Sequence, residues 1–296
     1  MSNASVGLSG QGKLYVVATP IGNLGDLSDR ARAVLTSCAL IAAEDTRHTG
    51  VLLKAFGIGT PQLSLHDHNE AARAVEIIAL LRAGKSVSLV SDAGTPAISD
   101  PGFELVRAVA AAGFEILSIP GPCAAIAALS IGALPTDRFC FEGFLPSRGS
   151  ARRQRLKTLS NESRTMVFYE APHRAREMLE DCVAAFGEGR AAAIVREATK
   201  LHETTYRGSL IELLNRSKED ADLSRGEIVL LVGGAPAQAG GEAEAEAKVR
   251  LDKVLLTLMA ELPLKQAANL AAQITGARDN EAYKRALILK EQSASH

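Results

Sequence analysis

The residues able to do chemistry sit in short polar stretches, and almost every stretch follows an apolar run. T-P-I-G-N-L-G at 19–25 follows Leu14–Ala18, Glu44-Asp45-Thr46-Arg47 follows Leu40–Ala43, and His66-Asp67-His68-Asn69-Glu70 follows Gln62–Leu65. S-D-A-G-T-P-A-I-S-D-P-G at 91–102 follows Ser86–Val90, and Pro120-Gly121-Pro122 separates Glu115–Ile119 from Cys123 and Ala124. In the second half, Glu170-Ala171-Pro172-His173-Arg174 follows Thr165–Tyr169, and Arg196-Glu197-Ala198-Thr199-Lys200 follows Ala191–Val195. Carboxylates, imidazoles and lysines in such positions suit proton transfer, arginines suit anions, and Gly/Pro loops offer backbone groups. In 91–102, Pro96 and Pro101 fix φ, while Gly94 and Gly102 open conformations closed to other residues. Asp100-Pro101 reads as a helix N-cap followed by a first-turn proline. Asp92 ends the strand, is not needed as a cap, and reads as a ligand residue.

The first loop is not G-x-G-x-x-G, no acidic ribose ligand follows it, and no G-K-[ST] occurs, which excludes a dinucleotide or a P-loop nucleotide. A backbone-lined cleft for an uncharged or zwitterionic ligand remains, and S-adenosylmethionine fits, having no phosphates. Glu44–Arg47 also reads as a salt-bridged helix start, and His66 and His68 as solvated loop residues. Two histidines with Asp67 are too few ligands, so no metal is indicated.

These loops need strands and helices to hold them. Apolar runs of strand length alternate with helical spacing at 28–38, 52–56, 71–83 and 103–110, the pattern of a parallel α/β domain over 13–134. A second α/β domain, 135–235, has a mixed sheet: Asp137–Leu145, Thr165–Tyr169, Ala191–Val195, a hairpin partner at Thr204–Gly208, and Glu227–Val232. Ala235–Lys248 reads as a linker, and 249–296 as a helical appendage resembling a helix-turn-helix, or a packing and dimerisation element. Residues 1–12 are small and polar and read as a mobile leader without a secretory signal. No apolar run spans a membrane. Cys38, Cys123, Cys140 and Cys182 are widely spaced, which points to a reducing cytoplasm. The formal charge of the 296 residues is −1, so nucleic-acid binding would need a local patch, and Arg148, Arg152, Arg153, Arg155 and Lys157 supply one.

T-P-I-G-N-L-G-D, A-E-D-T-R, L-H-D-H-N-E, the 91–102 loop, I-P-G-P, F-Y-E-A-P-H-R, R-E-A-T-K-L-H-E and R-G-E-I-V-L-L-V together resemble the ribosomal RNA small subunit methyltransferase I family of the tetrapyrrole methylase superfamily. The likeness runs from Lys13 to Gly234 and includes the C-terminal helices. It implies two α/β domains of the tetrapyrrole methylase type with a donor cleft between them, S-adenosylmethionine as donor, and a homodimer. The acceptor it implies is the 2'-O of a cytidine ribose in the decoding region of small-subunit (16S) ribosomal RNA. By position, Ile21 with Gly22, and Asp92 with Gly94 and Thr95, line the donor site; Tyr169 and Glu227 meet the adenine. Cys123 and Ala124 stand where superfamily members usually show small hydroxyl residues, so contact there runs through backbone.

A ribose hydroxyl must be aligned with the methyl carbon and lose a proton. Asp45, His66, Glu170, Glu197 and Lys200 are the candidates, with Lys200 and Glu197 favoured as a unit. Lys200 needs desolvation or a nearby cation to act as a base; alternatively the two glutamates hold it as ion-pair partners. Arg47, Arg174 and Arg196 either supply that field or hold phosphates. A methyltransferase of the same fold acting on a tetrapyrrole or other small molecule is the alternative enzyme, and a non-catalytic RNA-binding module the alternative class.

Overall fold

The computed structural model describes residues 11–236 and 240–294. The first sheet has five parallel strands, β1 (Leu14–Val17), β2 (Leu40–Ala43), β3 (Gln62–Ser64), β4 (Val87–Val90) and β5 (Ile116–Ile119), in the order β3-β2-β4-β1-β5. Helices α1 (Asp29–Ser37), α2 (Thr46–Ala55), α3 (Glu70–Arg82) and α4 (Phe103–Ala111) make the crossovers. β4 is buried along its whole length, as a central strand covered on both faces must be. Because all five strands are parallel, their carboxyl ends, and the polar loops that follow, lie along one edge.

Helix α5 (Ala124–Ile131) leads to the second sheet, β6 (Phe139–Phe144), β7 (Thr165–Glu170), β8 (Ala191–Arg196), β9 (Thr204–Ser209) and β10 (Ile228–Val232), ordered β6-β7-β10-β8-β9. Only β6 and β7 run parallel; β9 is the antiparallel partner of β8. Ala125, Ala128 and Leu129 of α5 pack on Val167, Ala193, Val229 and Leu231, seating this helix against one sheet face. Helices α6 (Gly149–Thr158), α7 (Ala175–Phe186) and α8 (Leu210–Glu219) cover the other face with Leu156, Met178, Leu179, Leu210 and Leu213. Phe168, fully buried on β7, anchors that core; truncating such a residue to Ala costs about 3–5 kcal/mol.

The remaining helices, α9 (Gly240–Met259), α10 (Leu264–Thr275) and α11 (Asp279–Ala294), form a separate compact unit. Its core is Leu251, Leu255, Ala268, Ala271, Ala272, Ala282, Ala286 and Leu289. Gly276 closes α10 at φ 76°, a left-handed cap that glycine adopts without strain. Among the described residues no helix is long and apolar enough to cross a membrane.

The structure differs from the sequence reading in two places. Helix α9 starts at Gly240, inside the stretch read as a linker, because Glu and Ala alternating in 242–247 are strong helix formers; residues 237–239 lie outside the described residues. Asp100 does not cap α4. The N-cap is Gly102, at φ 127°, and the helix N-terminus is satisfied from elsewhere: buried Glu70 accepts the Leu105 N–H at 3.0 Å. Of the leader, residues 1–10 lie outside the described residues, while Gly12 already donates to the Leu81 carbonyl.

Candidate functional site

Hydrogen bonds lace the loops at the edge of the first sheet into one surface. Thr19 and Gly94 exchange backbone bonds at 2.9 and 3.1 Å, joining the loops after β1 and β4. Thr95 Oγ1 donates to the Pro122 carbonyl at 3.1 Å, joining β4's loop to β5's. Asp92 Oδ1 accepts from the Asp45 N–H at 3.0 Å and the Asp92 N–H donates to Glu44 Oε2 at 3.3 Å, joining it to β2's. Ala97 and Ser99 hold φ near +65° (67° and 65°), a conformation kept only where surroundings enforce it.

The second sheet presents one edge to this surface. The ends of β7 and β8 and the start of β10 are in register, Ile228 lying opposite both Glu170 and Arg196. Tyr169 is fixed to the start of α5: its hydroxyl accepts the Ala125 N–H at 3.1 Å, and burial raises its pKa. The two edges enclose a cavity of about 420 Å³. One wall carries Ile21, Glu44, Asp92–Thr95, Ile98, Asp100, Cys123 and Ala124; the other carries Phe144, Tyr169–Pro172, Val195, Ala198 and Glu227–Val229.

This lining contains Glu44, Asp92, Asp100, Glu170 and Glu227 and no lysine, arginine or histidine. Burial raises the Glu44 pKa against the hydrogen bond from the Asp92 N–H, and the charges of Asp67 and Asp45 add to the rise. Asp100 is pushed up to about 6, chiefly by burial and then by Glu44. Such a lining favours a ligand that brings positive charge to these carboxyl groups.

Of the residues singled out for a donor, Ile21, Asp92, Gly94, Thr95, Cys123, Ala124, Tyr169 and Glu227 line the cavity. Gly22 does not; the Lys200 side chain lies where its Cβ would be. Of the candidates for proton transfer, only Glu170 belongs to the lining, with its carboxyl turned into protein. Glu170 Oε1 accepts the Ala171 N–H at 2.8 Å and lies 3.2 Å from Arg174 Nε. Asp45 caps α2 and pairs with Arg47, whose hydrogen bonds lower its pKa. His66 is exposed, its Nε2 lying 3.0 Å from Asn69 Nδ2.

Lys200 is not a neutral base. Its Nζ lies 2.9 Å from Glu197 Oε1 and 3.1 Å from Glu227 Oε2. Burial pulls its pKa down, but those two carboxylates outweigh burial and raise it, keeping the ammonium charged. Glu197 therefore acts as the ion-pair partner, helped by accepting the Glu227 N–H at 2.8 Å.

The arginines divide likewise. Arg196 is buried and donates to the Arg225 and His202 carbonyls, and Arg174 to those of Leu145 and Pro146, so both fasten loops. Arg152 is only 3% exposed and holds Asp181 at 2.6 Å and Glu177 at 3.1 Å, which removes it from any exposed phosphate-binding patch. Arg155 pairs with Glu142, and Arg153 stands 3.6 Å from Asp181. Arg148 and Lys157 are exposed and make no ion pair among the described residues, and Arg47 projects into solvent while pairing with Asp45.

Sequence reasoning did not single out Glu44, Ile98, Asp100 and Phe144 as cavity residues. For Asp100 a signal existed: Pro101-Gly102 after it delays the helix by two residues, which frees the carboxylate from capping.

Two α/β layers with a cavity at their strand ends are the architecture of a tetrapyrrole-type methylase, and the family model for Tetrapyrrole (Corrin/Porphyrin) Methylases matches residues 13–214, with that for the RsmI C-terminal HTH domain matching 243–290. Uroporphyrin-III-C-methyltransferase from Thermus thermophilus shares the fold at TM-score 0.54 and 22% identity, covering 78% of this chain and 98% of that one. A Uroporphyrin-III C-methyl transferase from Thermus thermophilus complexed with S-adenyl homocysteine aligns at TM-score 0.51 and 18% identity, covering 75% of this chain and 97% of that one. Ribosomal RNA small subunit methyltransferase I of Escherichia coli O157:H7 is 51% identical over 277 residues, 94% of this chain and 95% of that protein. The chain belongs to the ribosomal RNA small subunit methyltransferase I family and is a methyltransferase.

Proposed function

We propose that the chain transfers the methyl group of S-adenosylmethionine to the ribose 2'-oxygen of a cytidine in the decoding region of small-subunit ribosomal RNA. The observation that carries the donor is the cavity whose lining includes Glu44, Asp92 and Asp100 and no lysine, arginine or histidine. S-adenosylmethionine has a sulfonium and an ammonium, and no phosphate, so its two positive centres suit Asp92, Asp100 and Glu44. Backbone at Ile21, Gly94 and Ala124 suits its amino-acid and ribose groups, and Tyr169 and Glu227, which also line the cavity, are assigned to the adenine. The donor brings an activated methyl; the protein's part is to hold it in line with an incoming hydroxyl and keep water out.

On this reading Lys200 and Glu197 position Glu227 rather than move a proton, and the exposed Arg148, Arg153 and Lys157 take RNA phosphates. The first α/β domain, 13–134, and the second, 135–235, each supply one cavity wall, and the appendage from 249 adds RNA affinity. Four cysteines without a disulfide suit the cytoplasm, where the protein acts as a homodimer on small ribosomal subunits. Incubating it with labelled S-adenosylmethionine and small subunits lacking the modification tests the reading: label should appear as 2'-O-methylcytidine. Label on a base, or on a tetrapyrrole only, would refute it.

A further inference from the structure

Phe144 is 58% exposed although it lines the cavity, and core packing does not explain an aromatic left in that state. Its placement is built. Strand alternation would put Phe144 on the face opposite Phe141. Between Phe141 and Gly143 the pairing with β7 shifts by one residue, a bulge that returns Phe144 to the face of Phe141. Both rings then meet Tyr169 edge-on, Phe141 at 5.0 Å and Phe144 at 5.5 Å between centroids. Tyr169 is itself pinned by the Ala125 N–H, so Phe144 stands on a fixed base. Gly143 holds φ 62°, and a Cβ there would come within 2.9 Å of Ser99 Oγ, so the bulge also presses against the loop after β4. That loop brings Ile98, 41% exposed, to the same cavity from the opposite wall.

The chain running on from Phe144 leads directly into the cationic helix α6. Arg148 is four residues away, at most about 14 Å along an extended backbone, and has no ion-pair partner among the described residues. An open aromatic face beside an unpaired cation is how proteins hold single-stranded nucleotides: the ring stacks the base and the cation takes a neighbouring phosphate.

Resting on the function proposed above, we infer that Phe144, opposed by Ile98, is the stacking platform for a nucleobase splayed out of the acceptor RNA at the cavity mouth, with Arg148 on a flanking phosphate. Phe144 is thus a substrate-recognition residue, distinct from the residues assigned to the donor.

The chain has no tryptophan, so Phe144→Trp introduces a lone fluorescent reporter that can still stack. Its emission should be quenched by unmodified small ribosomal subunits and unchanged by S-adenosylmethionine alone. Phe144→Ala should raise the KM for subunits by roughly tenfold or more, shift donor affinity by calorimetry far less, and be rescued by Phe144→Tyr. Quenching by the donor alone, or loss of donor binding in Phe144→Ala, would assign the ring to the adenine and overturn the inference. An unchanged subunit KM in a folded Phe144→Ala protein would also overturn it. Neither result touches the proposed function, which fails only if the unsubstituted protein leaves subunits unmethylated.

Discussion

Single side chains decide what the cavity can hold and when. Asp100, pushed up to about 6 by burial and by Glu44, is largely ionised at pH 7.5 and largely protonated at pH 5. A cationic donor favours the ionised form, so donor affinity should fall as pH drops through about 6, and Asp100→Asn should flatten that profile in calorimetry. The sign for stability is opposite. A carboxyl whose folded pKa is raised above its unfolded value stabilises the fold most below the unfolded value, and that contribution is lost as pH rises through the folded one. The ligand-free protein should therefore gain thermal stability from this group as pH falls from 7 toward 5, and Asp100→Asn should remove the gain. Arg152→Ala should destabilise the fold by about 3 kcal/mol in denaturant titration, because it strands Asp181, while subunit affinity per folded molecule should hardly change. Lys200→Met should raise the KM for donor through a loosened Glu227 and leave the rate at saturating donor within a few-fold. A hundredfold loss of that rate, independent of donor concentration, would restore Lys200 to the chemistry.

At the scale of elements, the loops matter more than the strands they end. Asp92→Ala removes the acceptor for the Asp45 N–H, and should weaken donor binding by about 1–3 kcal/mol as β2's and β4's loops part. Calorimetry on the folded variant decides it, and unchanged affinity would show that the loops hold register without this bond. Strand runs and Gly/Pro loops were legible because apolar periodicity and φ-restricting residues act locally. The alternation of β8 and β9 as a hairpin was legible for the same reason. Non-local partners were not. Nothing near α4 in sequence says that Glu70, from α3, serves its N-terminus. Nor does anything near 148–157 say that Arg152 meets α7's Asp181 and Glu177. A basic run looks like a surface until the carboxylates folded against it are known. The Phe141–Gly143 bulge escaped for a third reason: a one-residue slip depends on the partner strand, not on β6's own pattern.

Across the whole molecule, the cavity draws every lining residue from 21–229, and helices α9–α11 have a core of their own. Ending the chain after Ala235 should therefore leave donor affinity intact while lowering activity on subunits, measured as an increased subunit KM. Full activity in the shortened protein would remove the helices from RNA recognition. If this cavity serves methyl transfer to a ribose in small-subunit ribosomal RNA, mass-spectrometric mapping of that RNA from cells with and without this protein will show it. One 2'-O-methylcytidine in the decoding region should disappear without the protein and return with it, but not with a variant in which Asp92 and Asp100 are both replaced by alanine. An unchanged map, or a methyl group lost from a base instead of a ribose, would contradict that role.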